Sequence, residues 1–305
     1  MNKNKTRFRR SEQGHRYAAK ATVAFAAVLL VVSACTAPTE PTDASATAQE
    51  SDIPRTPSGR PDFNGIWQAL GNAHWNIEPH MASPALAMQP GPVGPVPATA
   101  VLAFGAVGSI PSGMGIVEGG EIPYLPEARV KQIENKENWA ERDPEVKCYL
   151  PGVPRATYMQ FPFQIFQSDA KFFISYEYAS AQRDVYFEDP GPAEVDSWMG
   201  QSVGRWEGDT LVVDVSGLHE GSWLDRAGNH HSYQMKVTER YTLSGPDHIL
   251  YEATIEDPAT YSRPWTIRLP LYRNITENAR LGQFKCVEYV EELIYGELRK
   301  NPIER

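Results

Sequence analysis

Glu239 stands in the middle of an apolar stripe. In YQMKVTERYTL, residues 233–243, it shares strand parity with Tyr233, Met235, Val237, Tyr241 and Leu243, and alternate residues of a strand face one side. A carboxylate turned inward must be paired, wet or neutralised. In an apolar interior its pKa rises, which is how a carboxyl becomes a general acid near neutral pH. Beside an inward guanidinium it is instead a structural ion pair or a group that orients a ligand. Arg183, Arg205 and Glu288 lie in strand-like stretches from which they can join Glu239, or can face outward. Gathered inside, they would suit the polar end of a mostly apolar ligand. Tyr241, Tyr251, Trp206 and Trp265 would line or pack near that cavity.

The loop GLHEGSWLDRAGNHHS, residues 217–232, is the second place for chemistry. An Asp beside a His can orient the imidazole as a general base, which nominates Asp225 and His231. The plain alternative is a polar loop that Asp225 and Gly228 only turn. His219 with His230 or His231 lacks a metal-ligand spacing such as HExxH, so no metal is expected. No phosphate-cradling glycine loop and no GxSxG occur, and no cofactor is expected.

The elements that would carry these groups are short alternating segments separated by turn residues. FPFQIFQ (161–167) and FFISYEY (172–178) match apolar to apolar if a two-residue loop sits at Asp169-Ala170. RDVYFE (183–188) follows. SVGRWEGDTLVVDV (202–215) folds at Gly208-Asp209, with Trp206 opposite Leu211 and Arg205 diagonal to Asp214. In the third hairpin a loop at Gly245-Pro246-Asp247 sets Tyr241 against Tyr251, Val237 against Ile255 and Arg240 against Glu252. That register puts Glu239 opposite Ala253 and keeps it away from Glu252. Residues 263–273 and 282–290 complete the set. This predicts a mainly β chain: an antiparallel meander of about nine strands closing into a calycin-like barrel, which removes sheet edges and leaves a mouth. A two-sheet β-sandwich is the alternative. One or two short helices are expected, the first from Pro126 to residue 141. Residues 82–120, almost without charge, have neither helical nor strand period and are expected to lie partly over the domain.

The 305-residue chain opens on a basic stretch and an apolar run, Ala21 to Val32, followed by Val32-Ser33-Ala34-Cys35. This matches a lipoprotein signal cut before Cys35, the residue that would carry the lipid. An ordinary signal peptide is the other reading. The organisation expected is a signal over 1–34, a linker over 35–60, an irregular region with a short helix over 61–160, the barrel over 161–290 and a helical tail over 291–305. Residues 1–34 hold seven of the 29 Lys and Arg and one of the 38 Asp and Glu, leaving 22 against 37, a formal charge of −15. That argues against nucleic acid and against membrane contact other than through the Cys35 lipid. Cys148 and Cys286 then remain, and an oxidising envelope favours a disulfide between them over two free thiols.

The runs GRWEGDTLVVDVSG, DRAGNHHS, VTERY, YEATIEDP and RPWTIRLPLYR, with PDFNGIW upstream, resemble a widespread, largely uncharacterised family of secreted bacterial proteins. The resemblance implies a secreted setting and supplies no reaction. Many of those proteins end in Cys-His-Glu where this chain reads Cys286-Val287-Glu288. The leading expectation is a lipid-anchored protein of the periplasm or outer membrane whose barrel cavity binds a small, largely apolar molecule. The alternatives are a metal-free acid–base enzyme (lyase, hydratase, isomerase or hydrolase) using Glu239 with Asp225 and His231, and an envelope interaction protein with a filled barrel.

Overall fold

The computed structural model describes residues 53–84, 88–89, 92–93, 96–97 and 109–290. The stretch expected to be a signal (1–34), Cys35, the start of the expected linker and the expected tail over 291–305 lie outside the described residues. The fold is mainly β, a closed barrel of nine strands. They are β1 Gly65–Ala69, β2 Phe163–Gln167, β3 Phe172–Tyr176, β4 Gln182–Tyr186, β5 Gln201–Glu207, β6 Thr210–Ser216, β7 Lys236–Gly245, β8 His248–Glu256 and β9 Trp265–Arg273. Each strand from β2 to β9 pairs with its successor, and β1 closes the ring between β9 and β2.

Two features differ from the expected meander. Residues 282–290 form no strand, and β1 takes the closing place. The reason is burial: Trp67 is fully enclosed and Ile66 and Ala69 are buried, whereas Lys285, Val287 and Glu288 are exposed. Second, β4 and β5 are parallel, with Val185 opposite Ser202, because residues 187–200 carry the chain back along the sheet before β5 begins. The barrel is therefore mixed.

The registers follow side-chain chemistry. Ile165 faces Ile174 and Phe163 faces Tyr176. Trp206 faces Leu211. Tyr241 faces Tyr251, Val237 faces Ile255, Arg240 faces Glu252 and Glu239 faces Ala253. The third turn is tighter than expected. Gly245 pairs with His248, and an irregularity between Leu243 and Gly245 absorbs the extra residue, as a bulge does. On the outer face, opposite charges pair across strands, Asp214 with Arg205, Glu207 with Arg240 and Glu252 with Arg268, and along β5, Arg205 with Glu207. Exposed pairs of this kind add little stability each, but they penalise a one-residue slip, which would turn every charge inward.

Helix α1, Pro126–Glu137, has Pro at its first turn, Glu127 near its N-terminus and Lys136 near its C-terminus, the charge order that the helix dipole favours. The helical stretch expected to residue 141 is broken at Asn138 and resumes as a four-residue α-helix, Trp139–Arg142, before a 3-10 turn, Pro144–Lys147. Residues 116–118 lie along β9, with Arg268 N–H donating to Ile116 O and Glu118 N–H to Thr266 O. Cys148 and Cys286 form a disulfide with Cα atoms 5.7 Å apart and a sequence separation of 138. It ties the 3-10 turn to a segment outside the barrel.

Candidate functional site

Glu239 points into the barrel and is wholly buried. Arg183, from β4 on the opposite wall, meets it with both terminal nitrogens: one donates to Oε1 at 3.2 Å and the other to Oε2. Tyr241 and Tyr251 donate their hydroxyls to Oε1 at 3.0 and 2.7 Å. Arg183 Nε donates to Ser202 Oγ at 2.8 Å. Burial opposes the charge on Arg183, but Glu239 outweighs it and holds the guanidinium well above its ordinary pKa. Burial first, then the Glu239 charge, pushes the Tyr241 and Tyr251 phenols well above 10. Both stay neutral donors. The carboxylate is thus fully engaged, an arrangement that locks a core.

The space around this cluster is occupied. A void large enough for a ligand would leave exposed area on its lining, yet Leu211, Val213, Tyr241, Tyr251, Ala253 and Glu239 all have none. The opening in Gly204 is taken up as well: a side chain there would meet Val185 at 2.7 Å. Four clefts in the described surface are lined by other residues.

Arg183, Glu239, Tyr241 and Tyr251 therefore come together as nominated, while the remaining candidates do not join them. Arg205 is exposed on the outer face, bonded to Glu207 and Asp214. Its neighbours Ser202 and Gly204 face inward, which sets Arg205 outward. Glu288 is exposed beyond the barrel because its segment forms no strand. Trp206 lies half-buried under Phe63, with the Arg60 guanidinium over its ring. Trp265 is buried against Tyr261.

Asp225 and His231 are both buried but bond separately. Asp225 accepts from the backbone N–H groups of Ile77, Ala227 and Asn229 and from the Asn229 amide. It organises the loop, and burial raises its carboxyl to about 7 against those bonds. His231 Nδ1 lies 2.8 Å from Ser232 O, so it carries the proton, and Nε2 accepts from Ser222 Oγ at 2.7 Å. Burial lowers its pKa to about 4.

That shift makes a prediction. The folded pKa of His231 lies below the ordinary 6.5, so the unfolded chain binds the extra proton first. Its contribution is present above about pH 6.5 and lost as pH falls toward 4. Asp225 works in the opposite sense, favouring the fold less as pH rises from about 4 to 7. Urea unfolding of the wild type and His231→Gln between pH 7.5 and 4.5 separates them. The variant is expected to lose less stability on acidification than the wild type; an equal or larger loss contradicts the assignment.

A second charged cluster was not legible from spacing. Arg155 is fully buried and grips Asp143 with two bonds of 2.9 Å and Glu145 Oε2 with one of 2.6 Å. Arg226 donates to both Glu145 oxygens at 2.9 Å, its guanidinium lying 4.6 Å from the Trp75 ring centre and 5.2 Å from that of Trp139. Asp143 also caps the 3-10 turn by accepting from Glu145 N–H. Burial alone would raise Glu145, but Arg226 and Arg155 hold it near 2. For Asp143, burial wins over Arg155 and its carboxyl is raised. The only hint in sequence was DPEVKCYLPGVPR, two acids and an Arg around Cys148. Spacing could not pair them with position 226.

This cluster, unlike the first, reaches the surface. A cleft of about 280 Å³ is lined by the charged Glu145, Arg226 and Lys285 and by Val146, Tyr178, Phe284, Cys286, Val287 and Val290. Phe284 stacks on Tyr178 at 5.0 Å and lies 4.5 Å from Phe161. Comparison with protein-family models, curated proteins and solved structures returned no match, so function rests on this geometry.

Proposed function

We propose that the protein is a lipid-anchored component of the bacterial envelope that binds a small, largely apolar molecule, and that it does so in the cleft beside Cys286. The barrel serves as the rigid support. The observation that carries this reading is the meeting, in one cleft, of an aromatic and aliphatic wall with the edge of a buried charged network. Convergent polar groups in an apolar recess are the usual composition of a ligand site, and 280 Å³, just below the usual range of about 300–1,000 Å³, restricts the ligand to a small molecule. Tyr178, Phe284 and the valines would hold the apolar body, and Glu145 with Arg226 would orient a polar end. The acid–base alternative finds less support, since Glu239 is bonded to four donors and Asp225 does not touch His231.

The test uses the full mature chain purified from envelopes, with retained molecules extracted and identified by mass spectrometry. Phe284→Ala is expected to reduce the retained ligand at least tenfold while leaving the unfolding transition of the barrel in place. Cys35→Ser is expected to move the chain from the membrane to the soluble fraction. Retention that is indifferent to Phe284 contradicts the assignment of the cleft.

A further inference from the structure

One wall of the cleft is held in an unusual way. Residues 274–290 follow β9 without forming a strand, and Val287, Tyr289 and Val290 are exposed. Among the described residues, the backbone of 282–290 reaches the rest of the domain through Gly282 N–H to Glu177 Oε2 at 2.7 Å and Tyr289 N–H to Val146 O at 2.8 Å. Phe284 adds its ring contacts. The covalent link is Cys286 to Cys148, and Cys286 is itself part of the lining. Cys148 follows directly on the 3-10 turn that carries Glu145, so the bridge fixes the aromatic wall to the charged wall.

We propose that this disulfide is a redox clamp on the binding cleft, a proposal that rests on the cleft being the ligand site. An external dithiol reductant gives two electrons and two protons to the bridge and closes to its own disulfide, while Cys148 and Cys286 become thiols. The wall carrying Phe284 and Val287 is then held by two hydrogen bonds from its backbone N–H groups, one of them to a side-chain carboxylate, and by the ring contacts of Phe284 with Tyr178 and Phe161, contacts of the kind that open locally without unfolding the whole domain. The barrel, with its interlocked registers, stays closed. Reduction therefore releases the bound molecule by dismantling half of its site, and reoxidation by an external disulfide, which takes the two electrons and two protons and leaves as a dithiol, restores it.

The experiment uses the full mature chain, oxidised and reduced with a phosphine, and 8-anilinonaphthalene-1-sulfonate as probe. The relevant binding is the part abolished by Phe284→Ala. Reduction is expected to weaken that part tenfold or more, to speed amide exchange at Gly282 and Tyr289 by tenfold or more, and to leave exchange in β7 and β8 unchanged. A Cys148→Ser/Cys286→Ser variant is expected to behave as the reduced protein does. Unchanged probe affinity, or unchanged exchange at the two amides, overturns the clamp even if the cleft binds. If the oxidised protein shows no Phe284-dependent binding, the cleft reading fails and the clamp on it fails too.

Discussion

Glu239→Gln is expected to lower the stability of the chain by about 3–5 kcal/mol, the scale found when one partner of a buried ion pair is removed. The loss comes mainly from what remains. Arg183 is 1 % exposed and spans the barrel to reach Glu239. With Gln in place its charge stays buried without a counter-charge, and the hydroxyls of Tyr241 and Tyr251 must share a weaker acceptor. Replacing both partners together, Arg183→Met with Glu239→Leu, is expected to recover much of the loss, since apolar isosteres often do as well as a buried pair. Urea unfolding measures both. A loss below about 1 kcal/mol for the single variant would show that the pair is not the lock described. Ligand retention per folded molecule is expected to be unchanged, because the pair does not line the cleft.

Arg155→Met is expected to cost a similar 3–5 kcal/mol at neutral pH, and its pH dependence carries a further signature. Asp143 loses both of its guanidinium bonds and Glu145 loses one, while Arg226 stays with Glu145. In the wild type Glu145 titrates near 2, below its ordinary 4.5. Its contribution is therefore present above about pH 4.5 and lost as pH falls toward 2. In the variant both carboxyls move up, so acid relieves the cost of burying them. The difference between wild type and variant should shrink as pH drops below about 4.5. A gap that stays constant from pH 7 to pH 3 contradicts the electrostatic account and leaves only lost packing. Because the network backs the cleft, this variant is also expected to weaken ligand retention, unlike Glu239→Gln.

The contrast between these clusters explains what the sequence could reveal. Glu239, Tyr241 and Tyr251 sit on long strands with clear alternation, and the opposite charges of Arg240 and Glu252 select one register. Their direction could be read from parity alone. Arg205 misled because Gly204, its inward neighbour, gives no apolar signal. Closure by Gly65–Ala69 was hidden because five residues carry little periodicity, and their partner on β2 lies about a hundred positions away in sequence. The disulfide was legible from composition, but its role was not, since 282–290 alternates like a strand and forms none. Asp143, Glu145, Arg155 and Arg226 come from turns and a loop, where no period links residues that tertiary packing brings together.

The central claim is that ligand sits in the cleft at Cys286 and the barrel interior is closed to it. Methyl NMR during titration with the molecule recovered from envelopes tests this most directly. The account predicts shifts at the methyls of Val146, Val287 and Val290, with Leu211, Val213 and Ile255 unmoved. Shifts centred on Leu211, Val213 and Ile255 would contradict it and put the ligand beside Glu239.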